Sequence, residues 1–140
     1  MESALHTPLR FVIRSDLAEA PQVQHRVLEQ LTRHHYGPNA TFAIRLCLEE
    51  ALSNAIKHGN KSDASKLVHV EASITPEAAQ IIVEDEGLGF QRTGVPDPTT
   101  DENVQRLHGR GVMLIESYMD EVHWECGGRR VRMIRRNDHA

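Results

Sequence analysis

The sequence has little of what marks secreted, membrane-spanning or nucleic-acid-binding proteins. Two cysteines in 140 residues are too few for a disulfide scaffold. Cys47 and Cys126 lie in predicted regular structure with apolar neighbours, so we expect both to be reduced and buried. No run approaches the ~20 apolar residues of a membrane helix, and the N-terminus lacks a signal-peptide stretch, which predicts a cytoplasmic protein without membrane contact. Sixteen Lys and Arg against 20 Asp and Glu argue against direct nucleic-acid binding. Aromatic residues make up only 4%, which predicts an aliphatic core.

What is present is typical of one globular domain. With 39% hydrophobic and 26% charged residues, we expect a single domain over residues 1–140, with its core at about 9–136. A short apolar run at 9–13 predicts an edge strand. Two-residue alternation predicts a strand at 67–75, and the more apolar run at 79–83 predicts a more buried strand antiparallel to it. Alternation also predicts a hairpin around Gly127-Gly128 that pairs Trp124 with Val131 and Val122 with Met133. We expect the polar tail 135–140 to fray.

Helical periodicity appears in three segments. Ser15 or Asp16 is placed to cap the first helix, whose apolar stripe is Leu17, Val23, Val27, Leu28 and Leu31. The second begins at Asn39 or Thr41 and runs to Gly59-Asn60, and the third opens at Gly109-Arg110-Gly111. Between about residues 91 and 108 the chain is polar and aperiodic, which is typical of a lid or binding loop.

The second helix carries the first candidate site. Glu50, Asn54 and, less squarely, His58 follow at steps of four and therefore stack along one edge, whereas Glu49 points to the other flank. A carboxylate and a carboxamide one turn apart can share a metal-bound phosphate. Taken alone, the pair is explained as well by ordinary solvent-facing helix residues.

Two glycine-containing segments complete the pattern. Asp85 follows a buried strand and is spaced from Gly87 and Gly89, which gives a fixed acceptor beside backbone that a ligand can approach closely. Gly109-Arg110-Gly111 enters a helix, where free amides and the helix dipole suit phosphate. Turn chemistry explains the first equally well, and an ordinary glycine helix cap explains the second.

Taken together and in this order, the three segments resemble the N, G1 and G2 boxes of the Bergerat (GHKL) ATPases. The stretches EEALSNAIKHGN, VEDEGLGF and HGRGVMLI look most like the bacterial anti-sigma factor serine kinases, and the resemblance covers about residues 9–136. It implies an α+β two-layer sandwich, in which a mixed, mostly antiparallel sheet is covered on one face by about three helices.

The resemblance also implies roles for individual residues. Glu50 would be the general base toward a serine hydroxyl, and Asn54 the Mg²⁺ ligand. Asp85 would accept from the adenine amino group of ATP. The further nucleotide-binding residues would be His58, Gly87, Gly89, Gly109, Arg110 and Gly111, although His58 is explained as well by hydrogen bonding at the helix end. Met113 departs from the family, where many relatives carry a third glycine, and the last strand lacks the threonine that many relatives place near adenine.

The function implied is a protein serine/threonine kinase that uses ATP and Mg²⁺. Its substrate would be a STAS-domain anti-sigma antagonist and its second partner a sigma factor, with a homodimer formed through the edge near residues 9–13. The alternative is a non-catalytic nucleotide-binding module that regulates by protein contact alone. The catalytic domain of a two-component histidine kinase is disfavoured, because Pro8 and the strand-like LRFVI do not indicate a helical N-terminal extension.

Overall fold

The computed structural model describes residues 7–87 and 111–138, which form five strands and three α-helices. In chain order these elements are β1 (Leu9–Arg14), α1 (Ala20–Arg33), α2 (Pro38–Ser53), β2 (Leu67–Ile74), β3 (Ala78–Glu84), α3 (Gly111–Tyr118), β4 (Glu121–Glu125) and β5 (Arg130–Arg136). A 3₁₀ turn, Leu17–Glu19, precedes α1, and a π-helical segment, Asn54–Gly59, continues α2.

The strands form one sheet in the order β1-β2-β3-β5-β4, and all four neighbouring pairs are antiparallel. The two-layer α+β architecture is as expected from the sequence, but the described strands contain no parallel pair. Alternate residues of the inner strands face the helices, as the two-residue repeat predicts. The residues of the inner strands buried on that face are Val68, Val70, Ala72, Ile74, Ala79, Ile81, Val83, Val131 and Met133.

The first helical region begins differently from its prediction. Asp16 does cap it, since its Oδ1 accepts from the Ala18 N–H at 2.9 Å, but the capped element is the 3₁₀ turn. Pro21 lies in the first turn of α1, where its missing N–H costs nothing. Leu17 is therefore outside the α-helical stripe and remains exposed, whereas Val23, Val27 and Leu31 are buried.

The second helix starts earlier than its sequence pattern predicts, and its last turns are π-helical and therefore wider than α-helical turns. Gly37 is the N-cap and Pro38 occupies the first turn, so the helix begins before Asn39. From Asn54 the α-helix gives way to π-helical hydrogen bonding, and the N–H of Asn60 donates to the Ala55 carbonyl at 2.8 Å. Such wide turns occur frequently at functional sites.

The last hairpin has the predicted register, with Trp124 opposite Val131 and Val122 opposite Met133. Its loop is wider than two glycines, because Cys126 (φ 53°) and both glycines adopt positive φ and the ladder stops at Glu125. The expectation that Cys126 is buried is therefore wrong, since the turn exposes it. Cys47 is buried as predicted, and burial raises the pKa of its thiol to about 12.

The tail is more ordered than predicted. Residues up to Arg136 belong to β5, and Asn137 is buried. The Asn137 amide accepts from the Gly37 N–H at 3.1 Å and donates to the Pro76 carbonyl at 3.0 Å, so it joins the α1–α2 and β2–β3 connections. Polar residues that pair with buried backbone in this way cannot be distinguished from solvated ones by hydropathy. Within 7–87 and 111–138, no helix has the length and apolarity needed to cross a membrane.

Candidate functional site

Glu50 and Asn54 converge on the first residue of α3. Glu50 in α2 and Asn54, the first residue of the π-helical segment, both face Gly111 and therefore share one edge, as their spacing predicts. A methyl group at Gly111 would come within 2.9 Å of Glu50 Oε1 and 2.9 Å of Asn54 Nδ2. Since real Cβ contacts are rarely so short, a side chain at this position would displace the ends of the Glu50 and Asn54 side chains. The start of the third helix is thereby brought against the carboxylate and the carboxamide.

The Asn54 carboxamide has a donor available for a further hydrogen bond. Its Nδ2 is buried and makes no hydrogen bond within the described parts of the chain. Leaving a buried amide unpaired costs about 1–3 kcal/mol, so native structures rarely tolerate it without a ligand or water. The side chain sits where α2 changes to the π-helical segment, beside the Glu50 carboxylate.

Asp85 follows β3 directly and is 7% exposed. Its Oδ1 accepts from the Gly87 N–H at 2.8 Å, and its own N–H donates to the Arg129 carbonyl at 2.9 Å. Burial raises the pKa of Asp85 to about 6, and the hydrogen bond from Gly87 opposes that rise. A carboxylate held in this way is ionised at neutral pH and is a strong acceptor for a ligand N–H donor.

Gly59 is a further candidate site residue, which is not among those predicted from the sequence. A methyl group there would overlap the Asp85 carboxylate, and one at Gly87 would overlap the Gly59 carbonyl. The Asp85–Gly87 turn therefore packs directly on the backbone that ends the π-helical segment. The sequence offered one signal, because Gly59 directly follows the candidate residue His58. From the sequence, Gly59 is assigned only to the end of the second helix.

The candidate residues lie in two groups along the helix formed by α2 and its π-helical continuation. Glu50 and Asn54 lie at one end beside Gly111, and the Asp85 carboxylate lies at the other end beside Gly59. Gly59 follows Glu50 by nine positions, more than two helical turns along the chain. An elongated ligand with a donor at one end and anionic groups at the other matches this distribution of polar groups.

The other predicted site residues have different outcomes. His58 lies on the exposed side of the π-helical segment, and burial of its ring followed by the charge of Lys57 lowers its pKa, so the ring favours its neutral form. Its role toward nucleotide stays a prediction. Gly89, Gly109 and Arg110, together with the lid-like stretch before them, fall outside the described residues.

Fold and site together define an ATPase domain of the Bergerat type. The sequence profile of the histidine kinase-like ATPase domain matches residues 13–135, and the chain belongs to that family. Membership of this family implies that the chain uses ATP.

Individual relatives narrow the comparison. The anti-sigma F factor of Clostridium perfringens strain SM101 is 37% identical over 82 residues, which cover 56% of this chain and 58% of the relative. The serine-protein kinase RsbW of Listeria monocytogenes serovar 1/2a is 31% identical over 97 residues, covering 65% of this chain and 62% of the kinase. The chain thus spans about three fifths of the curated relatives it matches.

A solved structure supports the fold independently. The crystal structure of the RsbU and RsbW domains of a Mycobacterium tuberculosis protein superposes with a TM-score of 0.60 at 15% identity. The match covers 94% of this chain and 32% of that one. At this identity the likeness concerns the arrangement of helices and strands alone.

Proposed function

We propose that this chain is a protein serine/threonine kinase of the anti-sigma factor type, which transfers the γ-phosphoryl group of ATP to a serine of a partner protein. The observation that carries the proposal is that two separated segments, the turn after β3 and the start of α3, both pack against the helical stretch 50–59. Glu50 and Asn54 come together at Gly111, and Asp85 lies against Gly59.

The Asp85 end suits the base of ATP. The carboxylate would accept a hydrogen bond from the adenine amino group, and Gly59 and Gly87 leave the space that this carboxylate occupies. Because its Oδ1 is already held by the Gly87 N–H, the acid cannot easily rotate away. Fixed orientation of a charged acceptor gives both affinity and selectivity for an amino group.

The Glu50 end suits phosphoryl transfer. The residues present fit a metal-bound triphosphate: a buried Asn54 Nδ2 that has no hydrogen-bond partner among residues 7–87 and 111–138, a carboxylate beside it, and a glycine at the start of a helix. Asn54 would hold Mg²⁺ through its carboxamide oxygen, and the cation would neutralise phosphate charge when bound. Glu50 would accept the proton of the incoming serine hydroxyl, which is a positioning and proton-transfer role.

The partners follow from the relatives and from the exposed edge of the sheet. We propose a STAS-domain anti-sigma antagonist as the substrate and a sigma factor as the second partner, because the two similar proteins are named an anti-sigma factor and a serine-protein kinase. The β1 edge supports a homodimer: among the described strands β1 has a sheet neighbour on one side only, and Val12 is 59% exposed. We place the whole of residues 1–140 in this one kinase domain.

A radiolabelled phosphotransfer assay against STAS-domain proteins tests the proposal. Glu50→Gln should bind ATP as the wild type does and lose transfer by at least about 100-fold. Glu49→Gln is the matched control, since it makes the same change one residue away on an exposed position, and it should keep full activity. If the wild type binds ATP and transfers phosphate to no STAS-domain partner, the non-catalytic alternative replaces the kinase.

The dimer has its own test. Val12→Lys places a charge on the exposed face of β1 without touching the ATP site and should weaken self-association in sedimentation analysis. An unchanged sedimentation profile, or a wild-type monomer, would contradict pairing through this edge.

A further inference from the structure

Asn60 is a buried polar residue that none of the roles above uses. It follows Gly59 directly, at the end of the π-helical segment, and is 1% exposed. Burying a carboxamide costs free energy unless its donors and acceptor are paired. Its partners therefore indicate what its burial achieves.

The Asn60 side chain joins three separate segments. Its Oδ1 accepts from the Glu86 N–H at 2.8 Å, and its Nδ2 donates to the Leu67 carbonyl at 3.0 Å and to Ser15 Oγ at 2.8 Å. The orientation of the amide is fixed by chemistry, because the Glu86 N–H can only donate and the Leu67 carbonyl can only accept. Both donors and the acceptor are thus in use.

The bond to Glu86 acts on the candidate base-recognition turn. Glu86 lies between Asp85 and Gly87, beyond the last residue of β3, so its N–H lies outside the strand. The neighbouring Gly87 N–H is the donor that orients the Asp85 carboxylate. A side chain that fixes the middle of this turn fixes the acid on one side of it and the donor on the other.

We propose that Asn60 is a positioning residue for nucleotide-base selectivity: through the Glu86 N–H it holds the Asp85–Gly87 turn in the conformation that presents the Asp85 carboxylate to the base. The inference rests on the proposed ATP site and adds to it a residue that touches no part of the ligand. Without Asn60, the Glu86 N–H loses its partner and the turn can relax to find another. The orientation of the carboxylate is then no longer unique.

Base selectivity is the measurement that separates positioning from mere stability. Inosine triphosphate carries a carbonyl oxygen where ATP carries the amino group, so a fixed carboxylate rejects it. A hydrogen bond to a charged group is worth ~1.5–3 kcal/mol, which corresponds to a preference for ATP of about 10- to 100-fold in the wild type. Asn60→Ala should reduce this preference to about threefold or less, mainly because the affinity for ATP falls while that for inosine triphosphate changes little.

Ser15→Ala is the matched control. The Ser15 hydroxyl bonds the same carboxamide and donates to the Lys66 carbonyl at 2.7 Å, but it does not touch the Glu86 N–H. Both variants remove buried hydrogen bonds and should lower the denaturant midpoint. Only Asn60→Ala should lower the ratio of ATP to inosine triphosphate affinity, whereas Ser15→Ala should leave it within about twofold of the wild type.

The possible outcomes are distinct. An unchanged ratio in Asn60→Ala, or an equal fall in both variants, overturns the positioning role and leaves the ATP site intact. A wild type that binds neither nucleotide overturns the proposed function itself. If Asn60→Ala does not fold, amide exchange of the wild type without nucleotide gives the test: the Glu86 amide should be protected, and exchange at the rate of an unstructured peptide would refute the inference.

Discussion

Replacing Asp85 by Asn should stabilise the ligand-free protein and abolish ATP binding. Burial raises the pKa of Asp85 from 3.8 to about 6, so ionisation of this carboxyl group costs more free energy in the folded state than in the unfolded state. At 1.36 kcal/mol per pKa unit the difference amounts to about 3 kcal/mol at neutral pH. Because the side chain keeps some contact with solvent and its bond from Gly87 would weaken in the amide, we expect a net gain of about 1–2 kcal/mol.

The gain should depend on pH in one direction. A folded-state pKa above the unfolded one means that the folded protein binds more protons between pH 3.8 and about 6. The contribution of Asp85 to stability therefore falls as pH rises through that window and stays low above it. Asp85→Asn lacks this decline, so its advantage over the wild type should be near zero at about pH 4 and full at about pH 8.

Denaturant unfolding at several pH values, combined with calorimetric ATP titration, checks both parts. Asp63→Asn is a sign-reversed control, because hydrogen bonds from Ser65 lower the pKa of the exposed Asp63 and the same substitution there should destabilise above about pH 4. The reasoning is refuted if Asp85→Asn destabilises the protein equally at every pH. It is also refuted if the variant binds ATP with unchanged affinity.

Three further substitutions have separate readouts. Gly59→Ala should weaken ATP binding by at least about tenfold, because the methyl group displaces the Asp85 carboxylate; calorimetry that finds unchanged affinity would contradict this. Gly111→Ala should reduce phosphotransfer more than ATP affinity, because the methyl group contacts Glu50. Steady-state kinetics should therefore show a larger fall in kcat than rise in the KM for ATP. Asn137→Ala should cost about 1–3 kcal/mol of unfolding free energy and leave nucleotide affinity unchanged.

Local patterns predicted the strands and the hairpin register well. The alternation from Val68 to Ile74 and the pairing of Trp124 with Val131 follow from a repeat of two and a turn between the strands, and both are physical constraints within a few residues. The approach of Glu50 and Asn54 also follows from local geometry, because a step of four stacks side chains on a helix.

Features that depend on tertiary contact were not predictable in this way. The role of Gly59 arises where a helix end packs on the turn after β3, about 26 residues later, and no periodicity reports that contact. Asn137 looks like a tail residue because its partners are backbone groups of distant turns. The apolar neighbours of Cys126 in the predicted strand favoured its burial, but the residue lies in the widened turn, which exposes it.

The change from α- to π-helical winding at Asn54 makes the residue count of this helix critical. In a regular α-helix each residue advances the side-chain direction by ~100°. Deleting one residue between Asn54 and Gly59 would therefore rotate the helical residues that follow the deletion by that angle about the helix axis. The deletion would restore regular α-helical hydrogen bonding, which favours the isolated helix. Gly59 would then no longer face Asp85, and the Asn60 carboxamide would no longer reach the Glu86 N–H. Natural variants with shortened helices at this point are therefore expected to lose nucleotide while remaining folded.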